Sequence, residues 1–138
     1  MATEPMHRWR VLGDRLYDTR HQWVLEDGVL LTLGITDYTQ DTAGDILYSS
    51  LPQPGTMLEK GQPFGSIESG KWVGQLYAPF DGVVIAANEL VSENPQLLNQ
   101  DPYGRGWLIK VRPSADNPRD SLLTDSEYAR FLDSLDER

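Results

Sequence analysis

Turn dipeptides cut the middle of this chain into runs too short for ordinary helices. Asp27-Gly28, Pro54-Gly55, Lys60-Gly61 and Asp81-Gly82 each separate short apolar stretches. Glycine supplies positive φ and proline presets φ, so these pairs reverse the chain instead of extending it. Residues 21–35 read as a β-hairpin, with Asp27-Gly28 as a type I′ turn. Further strands are expected over 45–51, 64–69, 72–77, 82–87 and 107–112, and a strand-like run over 9–17. A short helix is expected over 36–44, with Thr36 as N-cap and Gly44 as its stop. A helical turn is expected at 95–98. The C-terminal run differs in kind. Leu122, Leu123, Tyr128, Phe131, Leu132 and Leu135 recur at the helical period, and Thr124 with Glu127 forms a capping box. Many short strands and one terminal helix, over about 124–136, predict a mainly β sandwich or flattened barrel with an α-helix laid on it.

Composition narrows the chemistry. A chain of 138 residues is expected to form one domain, over 9–138, behind a loose tail at 1–8. It has no cysteine, which excludes disulfides, thiolate metal sites and cysteine nucleophiles. Any thiol or redox chemistry must come from an attached group. Two histidines, His7 and His21, are too few for a histidine-rich metal site. A net charge of −9 disfavours nucleic acid and anionic membrane surfaces and suits basic patches on protein partners. No apolar run approaches the ~20 residues of a membrane span, and the first residues lack the apolar core of a secretory signal. The expected location is the cytoplasm. No nucleophile with a partnering base and no phosphate loop is evident, so the chain is not expected to be an enzyme.

One tip stands out. Gly70-Lys71 falls between the strands expected at 64–69 and 72–77, and glycine first suits a type II′ turn. That turn would hold the Lys71 amine at the most exposed point of a hairpin. A solvated turn lysine is the commonest meaning of such a residue. Trp72 argues for more, because an indole beside an exposed tip needs cover, a partner or a ligand to pack on. Lys71 is therefore a candidate modification site.

The surrounding motifs resemble the glycine cleavage H-protein family over roughly residues 17–135. They are His21-x-Trp23, Gly34-Ile35-Thr36-Asp37-Tyr38, Gly44-Asp45, Leu51-Pro52-x-Pro54-Gly55, Glu68-Ser69-x-Lys71, Tyr77-Ala78-Pro79-x-x-Gly82, Asn88-Glu89 and Glu93-Asn94-Pro95. Asn99-x-Asp101-Pro102-Tyr103-Gly104-x-Gly106-Trp107 completes the series. The resemblance implies a lipoyl/biotinyl-domain-like β sandwich and lipoic acid amide-linked to Lys71. It implies that modifying enzymes read Glu68, together with Ser69, Gly70 and Trp72 at the tip and the flanking Gly55 and Gly82. A biotin carrier would show Met-Lys at the tip, which is absent. The implied role is a carrier that moves covalently bound intermediates between enzymes without catalysing a reaction itself. The implied partners are a lipoate-protein ligase or lipoyl transferase and dihydrolipoamide dehydrogenase. Either a heterodisulfide-reductase-like complex or glycine decarboxylase and aminomethyltransferase would complete the set.

Three departures bear on the cargo. The family usually has Glu-Ser-Val-Lys-Ala at the tip, His-Glu-Trp at 21–23, and Asp or Glu four residues after the lysine. This chain has Gly70 and Trp72, Gln22, and Gln75 at those places. Carboxylates beside the arm would favour a cationic aminomethyl cargo. Glutamines, with Arg20 next to His21, favour a neutral or anionic one. Arg20, His21, Gln22 and Gln75 are thus candidates for the cleft that receives the arm. The departures are similar to the branch of H-protein-like lipoate-binding proteins that serve sulfur oxidation. A glycine cleavage carrier and an unlipoylated scaffold of the same fold are the alternatives. Taken alone, His21 reads first as a hydrogen-bonded histidine at a hairpin start, because nothing pairs it with a nucleophile.

Overall fold

The computed structural model describes residues 9–114 and 116–136. The tail expected at 1–8 lies outside the described residues. The elements run β1 (Leu16–Tyr17), β2 (Gln22–Asp27), β3 (Leu30–Ile35), α1 (Asp37–Ala43), β4 (Ile46–Ser50), β5 (Met57–Leu58), β6 (Pro63–Ser69), β7 (Val73–Tyr77) and β8 (Gly82–Ala87). After them come α2 (Glu89–Glu93), α3 (Leu97–Gln100), β9 (Ile109–Pro113) and α4 (Asp125–Asp136). Two antiparallel sheets result, in the orders β1-β2-β3-β9-β8-β5 and β4-β6-β7. They form a flattened barrel that does not close, with the C-terminal helix against it, as expected. Ile67 and Leu76 from the smaller sheet meet Val24, Leu33 and Val111 of the larger one in a shared apolar core.

Two turns differ from expectation, and in opposite directions. Asp27 pairs with Leu30 across the β2–β3 hairpin. The central residues are therefore Gly28-Val29, with positive φ at Gly28 alone. That is the sign pattern of a type II′ turn, not the type I′ turn expected one residue earlier. The lysine hairpin does have a two-residue tip by register, since Glu68 pairs with Val73 and the Ser69 N–H donates to the Trp72 carbonyl at 2.8 Å. Gly70 nevertheless does not take the positive φ that type II′ requires.

The strand expected over 9–17 shrinks to β1. Side chains satisfy the backbone there in place of a ladder. The Tyr17 hydroxyl donates to the Leu12 carbonyl and accepts from the Leu12 N–H, both at 2.7 Å. The Tyr103 hydroxyl donates to the Arg10 carbonyl at 2.6 Å. β5 and α2 were not expected. Asn88 caps α2 by accepting from the Leu90 N–H at 3.1 Å, a use of asparagine legible in hindsight from Asn88-Glu89. Thr36 does sit at the N-cap of α1, but its hydroxyl makes no capping bond and turns to Tyr128 instead.

The C-terminal helix follows its pattern closely. The Thr124 N–H donates to Glu127 Oε1 at 2.8 Å, and the Glu127 N–H donates to Thr124 Oγ1 at 3.2 Å, the reciprocal bonds of a capping box. Tyr128 and Leu132 are buried among Trp9, Tyr17, Trp23 and Tyr103, a second core distinct from the one between the sheets. A short bridge between Tyr17 and Leu123 ties the segment before α4 to the edge of the larger sheet.

Candidate functional site: a lysine at the mouth of a cleft

Lys71 is exposed, and its amine makes no hydrogen bond or ion pair with any described residue. The Ser69 hydroxyl, itself buried, accepts from the Lys71 N–H at 3.3 Å, which braces the tip from inside. The lysine stem lies over Gly44. A Cβ at Gly44 would come within 3.1 Å of Lys71 Cε. Gly44 also holds φ at +81°, so the residue that stops α1 is doubly constrained to glycine. Glu68 is exposed between Tyr48 and Val73, its register partners on β4 and β7. A Cβ at Gly70 would meet nothing within 4 Å.

Trp72 does not extend into solvent. Its indole folds back over Gly74, where any Cβ would collide with the ring, and it remains 41% exposed. Gly74 was not recognised from the sequence. The signal was the spacing Trp72-x-Gly74, which puts both residues on one face of the strand.

The folded indole walls a cleft of about 390 Å³. All four expected cleft residues, Arg20, His21, Gln22 and Gln75, line it. Ile35, Ile67 and Leu76 supply apolar surface. Among the described residues, no Asp or Glu lines it. A second groove of about 360 Å³ lies on the Gly44 side of Lys71, with Leu47 and Asp45 in its wall. Lys71 lines this groove, and its chain neighbour Trp72 walls the cleft.

Each cleft residue is held in its own way. The Arg20 guanidinium lies 4.0 Å from the centre of the Tyr77 ring, a cation–π contact. Gln22 is buried, and its amide acts as a surrogate peptide. Nε2 donates to the Tyr77 carbonyl at 2.8 Å, and Oε1 accepts from the Tyr77 N–H at 3.2 Å. This pairs the edge of β7 with β2 across the two sheets. Nε2 also donates to Asp18 Oδ2 at 2.9 Å. A glutamate could accept at this position but not donate, and it would set a second carboxylate against Asp18. The amide of Gln22 is therefore committed to holding the sheets together as well as facing the cleft.

Asp18 was also missed in the sequence. Its Oδ1 accepts from the N–H groups of Arg20 and Gln22, both at 2.9 Å, closing the loop that presents Arg20 and His21. Burial pushes its carboxyl above the usual range, opposed by these hydrogen bonds. His21 takes φ +67°, the only non-glycine positive φ among the described residues. Its ring stacks on Tyr38 at 4.1 Å, and its Nδ1 lies 2.8 Å from the Tyr128 hydroxyl. Burial pushes its pKa down to about 4, so the ring is neutral near pH 7. His21 is hydrogen-bonded to Tyr128 and also lines the cleft.

Gly55 and Gly82 lie elsewhere. They serve the β5–β8 edge of the larger sheet, where the Gly55 N–H donates to the Val84 carbonyl at 2.7 Å. Gly82 packs where a Cβ would meet Val111 and the Arg112 carbonyl. Neither lines the cleft or the groove beside Lys71.

Residues 15–135 match the family described as Glycine cleavage H-protein. Among similar proteins is a glycine cleavage system H protein of Legionella pneumophila (strain Corby), 44% identical over 85% of this chain and 94% of its own length. Another, from Carboxydothermus hydrogenoformans, is 43% identical over 87% of this chain and 92% of its own. The crystal structure of a glycine cleavage system H protein from Mycobacterium marinum superposes with a TM-score of 0.80. It is 35% identical and covers 88% of this chain and 98% of that one.

Proposed function

Because the chain belongs to the glycine cleavage H-protein family, whose members are non-catalytic carriers, we propose that Lys71 bears a lipoyl group and that the cleft beside it receives the loaded arm. When bound, that group supplies a long tether and a dithiol redox couple that this cysteine-free chain lacks. The chain's own residues supply the rest. Ser69 and the register of β6 with β7 fix the tip. Gly44 clears space for the lysine stem. Glu68 stands exposed for a lipoate-protein ligase or lipoyl transferase to read, and dihydrolipoamide dehydrogenase would reoxidise the dithiol. The single observation behind this reading is the Lys71 amine, without a partner among the described residues, on a groove of its own and next in the chain to the Trp72 wall of the cleft.

On the pathway, the cleft favours a neutral or anionic cargo. Among the described residues its lining has Arg20 and neutral side chains but no carboxylate, so a cation entering it would lose water without gaining a counter-charge. This supports a cytoplasmic sulfur-oxidation carrier working with a heterodisulfide-reductase-like complex. The second reading, a carrier between glycine decarboxylase and aminomethyltransferase, is supported by the names of the similar proteins.

Intact-mass spectrometry after expression with lipoate and a ligase tests the carrier reading. One lipoyl mass increment is expected, lost in Lys71→Arg; no increment in the unsubstituted chain would sink it. Offering the lipoylated protein to glycine decarboxylase tests the pathway. Poor loading is expected, and loading at the rate of a glycine cleavage H protein would remove the case for an anionic cargo.

A further inference from the structure

A buried chain of three side chains sets what His21 shows to the cleft. The Tyr128 hydroxyl lies 2.8 Å from His21 Nδ1 and 2.9 Å from Thr36 Oγ1. Tyr128 and Thr36 are both fully buried. The Thr36 hydroxyl has no other partner among the described residues. Its hydrogen goes to the Tyr128 oxygen or remains a buried, unmatched donor, which is the costly outcome. Once the Tyr128 oxygen accepts from Thr36, the Tyr128 hydrogen is directed to His21 Nδ1. Nδ1 is then an acceptor, and in the neutral ring the proton sits on Nε2.

Nε2 has no hydrogen-bond partner among the described residues. Among the described residues no buried side-chain nitrogen or oxygen lacks one, so Nε2 is reached from solvent, and His21 lines the cleft. The ring is not free to swing. Tyr38 stacks on it, Phe131 of α4 lies 5.5 Å away, and the backbone is held at positive φ by bonds from Thr36 N–H and Thr39 Oγ1 to the His21 carbonyl.

We propose that Tyr128 is a positioning residue that fixes His21 as a neutral imidazole with its Nε2–H facing the cleft. We further propose that this donor, with the Arg20 guanidinium, makes the cleft a receptor for an anionic, acceptor-rich group. The ligand class rests on the carrier reading for its biological meaning, but the tautomer does not. The helix that buttresses the fold thereby also sets the polarity of the arm's berth, through one hydroxyl.

Nitrogen-15 spectra of the imidazole in the unmodified protein test the first part. Near neutral pH, His21 is expected to show one tautomer, with Nε2 protonated and Nδ1 bare. A ring protonated at Nδ1 would overturn the assignment. In Tyr128→Phe the single tautomer is expected to give way to a mixture while near-ultraviolet circular dichroism stays native-like. An unchanged pattern in that variant would remove Tyr128 from the role, and the measurement on the unsubstituted chain stands whether or not the variant folds. For the ligand class, thiosulfate and methylammonium are titrated separately into the same sample. Thiosulfate is expected to shift the His21 Nε2–H and Arg20 Nε–H signals saturably, with methylammonium leaving them in place. Equal shifts with both, or none with either, would overturn the anionic class. A failure to lipoylate Lys71 would sink the carrier reading and leave all these signals as they are.

Discussion

At the β6–β7 tip, Trp72 keeps 41% of its surface exposed and rests on a glycine. Against α4, Trp23, Tyr17 and Tyr128 are 0–1% exposed, and Tyr17 and Tyr128 stack face to face at 4.6 Å. Both regions are aromatic, yet they use the rings differently. In the helix region each fully packed ring with a polar atom finds a partner: Trp9 Nε1 donates to Asp41 at 2.8 Å, Trp23 Nε1 donates to the Pro102 carbonyl at 3.0 Å, and the hydroxyls of Tyr17, Tyr103 and Tyr128 bond backbone or Thr36. At the tip the indole instead walls a cleft, and the nearby lysine is unpaired. Bonds made in one region stabilise the fold; bonds left unmade in the other are available to something else. His21 joins the two, touching Tyr128 on one side and the cleft on the other.

This contrast gives an order of effects. Leu132→Ala should be the most damaging change, costing about 2–5 kcal/mol because it empties a fully buried site in the aromatic core. The check is a urea midpoint, read beside Lys71→Arg, which should not move it. Equal losses from the two variants would break the distinction between buttress and tip.

Acid comes next. The native pKa of His21 is about 4, against 6.5 for an unperturbed histidine. Between these values the unfolded chain takes up a proton that the native state refuses, so this contribution to stability falls as pH drops from about 6.5 through about 4. Asp18 acts in the opposite sense. Its raised native pKa means that the folded state holds the proton more readily, so its contribution grows toward acid. His21→Asn isolates the histidine, because asparagine tolerates positive φ. The variant should lose less stability than the unsubstituted chain between about pH 7 and pH 4, measured by urea midpoints at both. An equal loss would show that the ring is not held neutral.

The smallest effect is expected at the tip itself. Gly70→Ala should stay within about 0.5 kcal/mol, since Gly70 lacks positive φ and open space surrounds its missing Cβ. A larger loss by thermal melting would mean that the tip carries structural load after all.

Much of the fold was legible in the chain. The capping box, the apolar period of α4, the stop at Gly44 and most strands are written in residues near one another, and they appear where expected. The placement of Lys71 on a hairpin tip, and of Arg20, His21, Gln22 and Gln75 around one cleft, was legible too. What was missed has a common cause. Turn type at Gly28 depends on which residues pair across the hairpin, and one step of register exchanges the central positions, whereas at Gly70 the register is the expected one and only the backbone φ differs. The strand expected over 9–17 gave way because hydroxyls from Tyr17 and Tyr103 took over its backbone. Asp18 and Tyr128 carry no local motif that ties them to a cleft, and the spacing Trp72-x-Gly74 marks a shared strand face without saying that the indole folds over it.

The sequence by itself therefore determined the mainly β architecture, the terminal helix, and a lysine presented on a hairpin, because propensity, capping and turn chemistry act between near neighbours. Only the tertiary structure decided that Gln22 bridges the sheets to Tyr77, that Trp72 folds over Gly74, and that Tyr128 reaches His21 from more than a hundred residues away. Those pairings depend on how the sheets and helix pack, and a buried polar atom takes whichever partner that packing brings within reach.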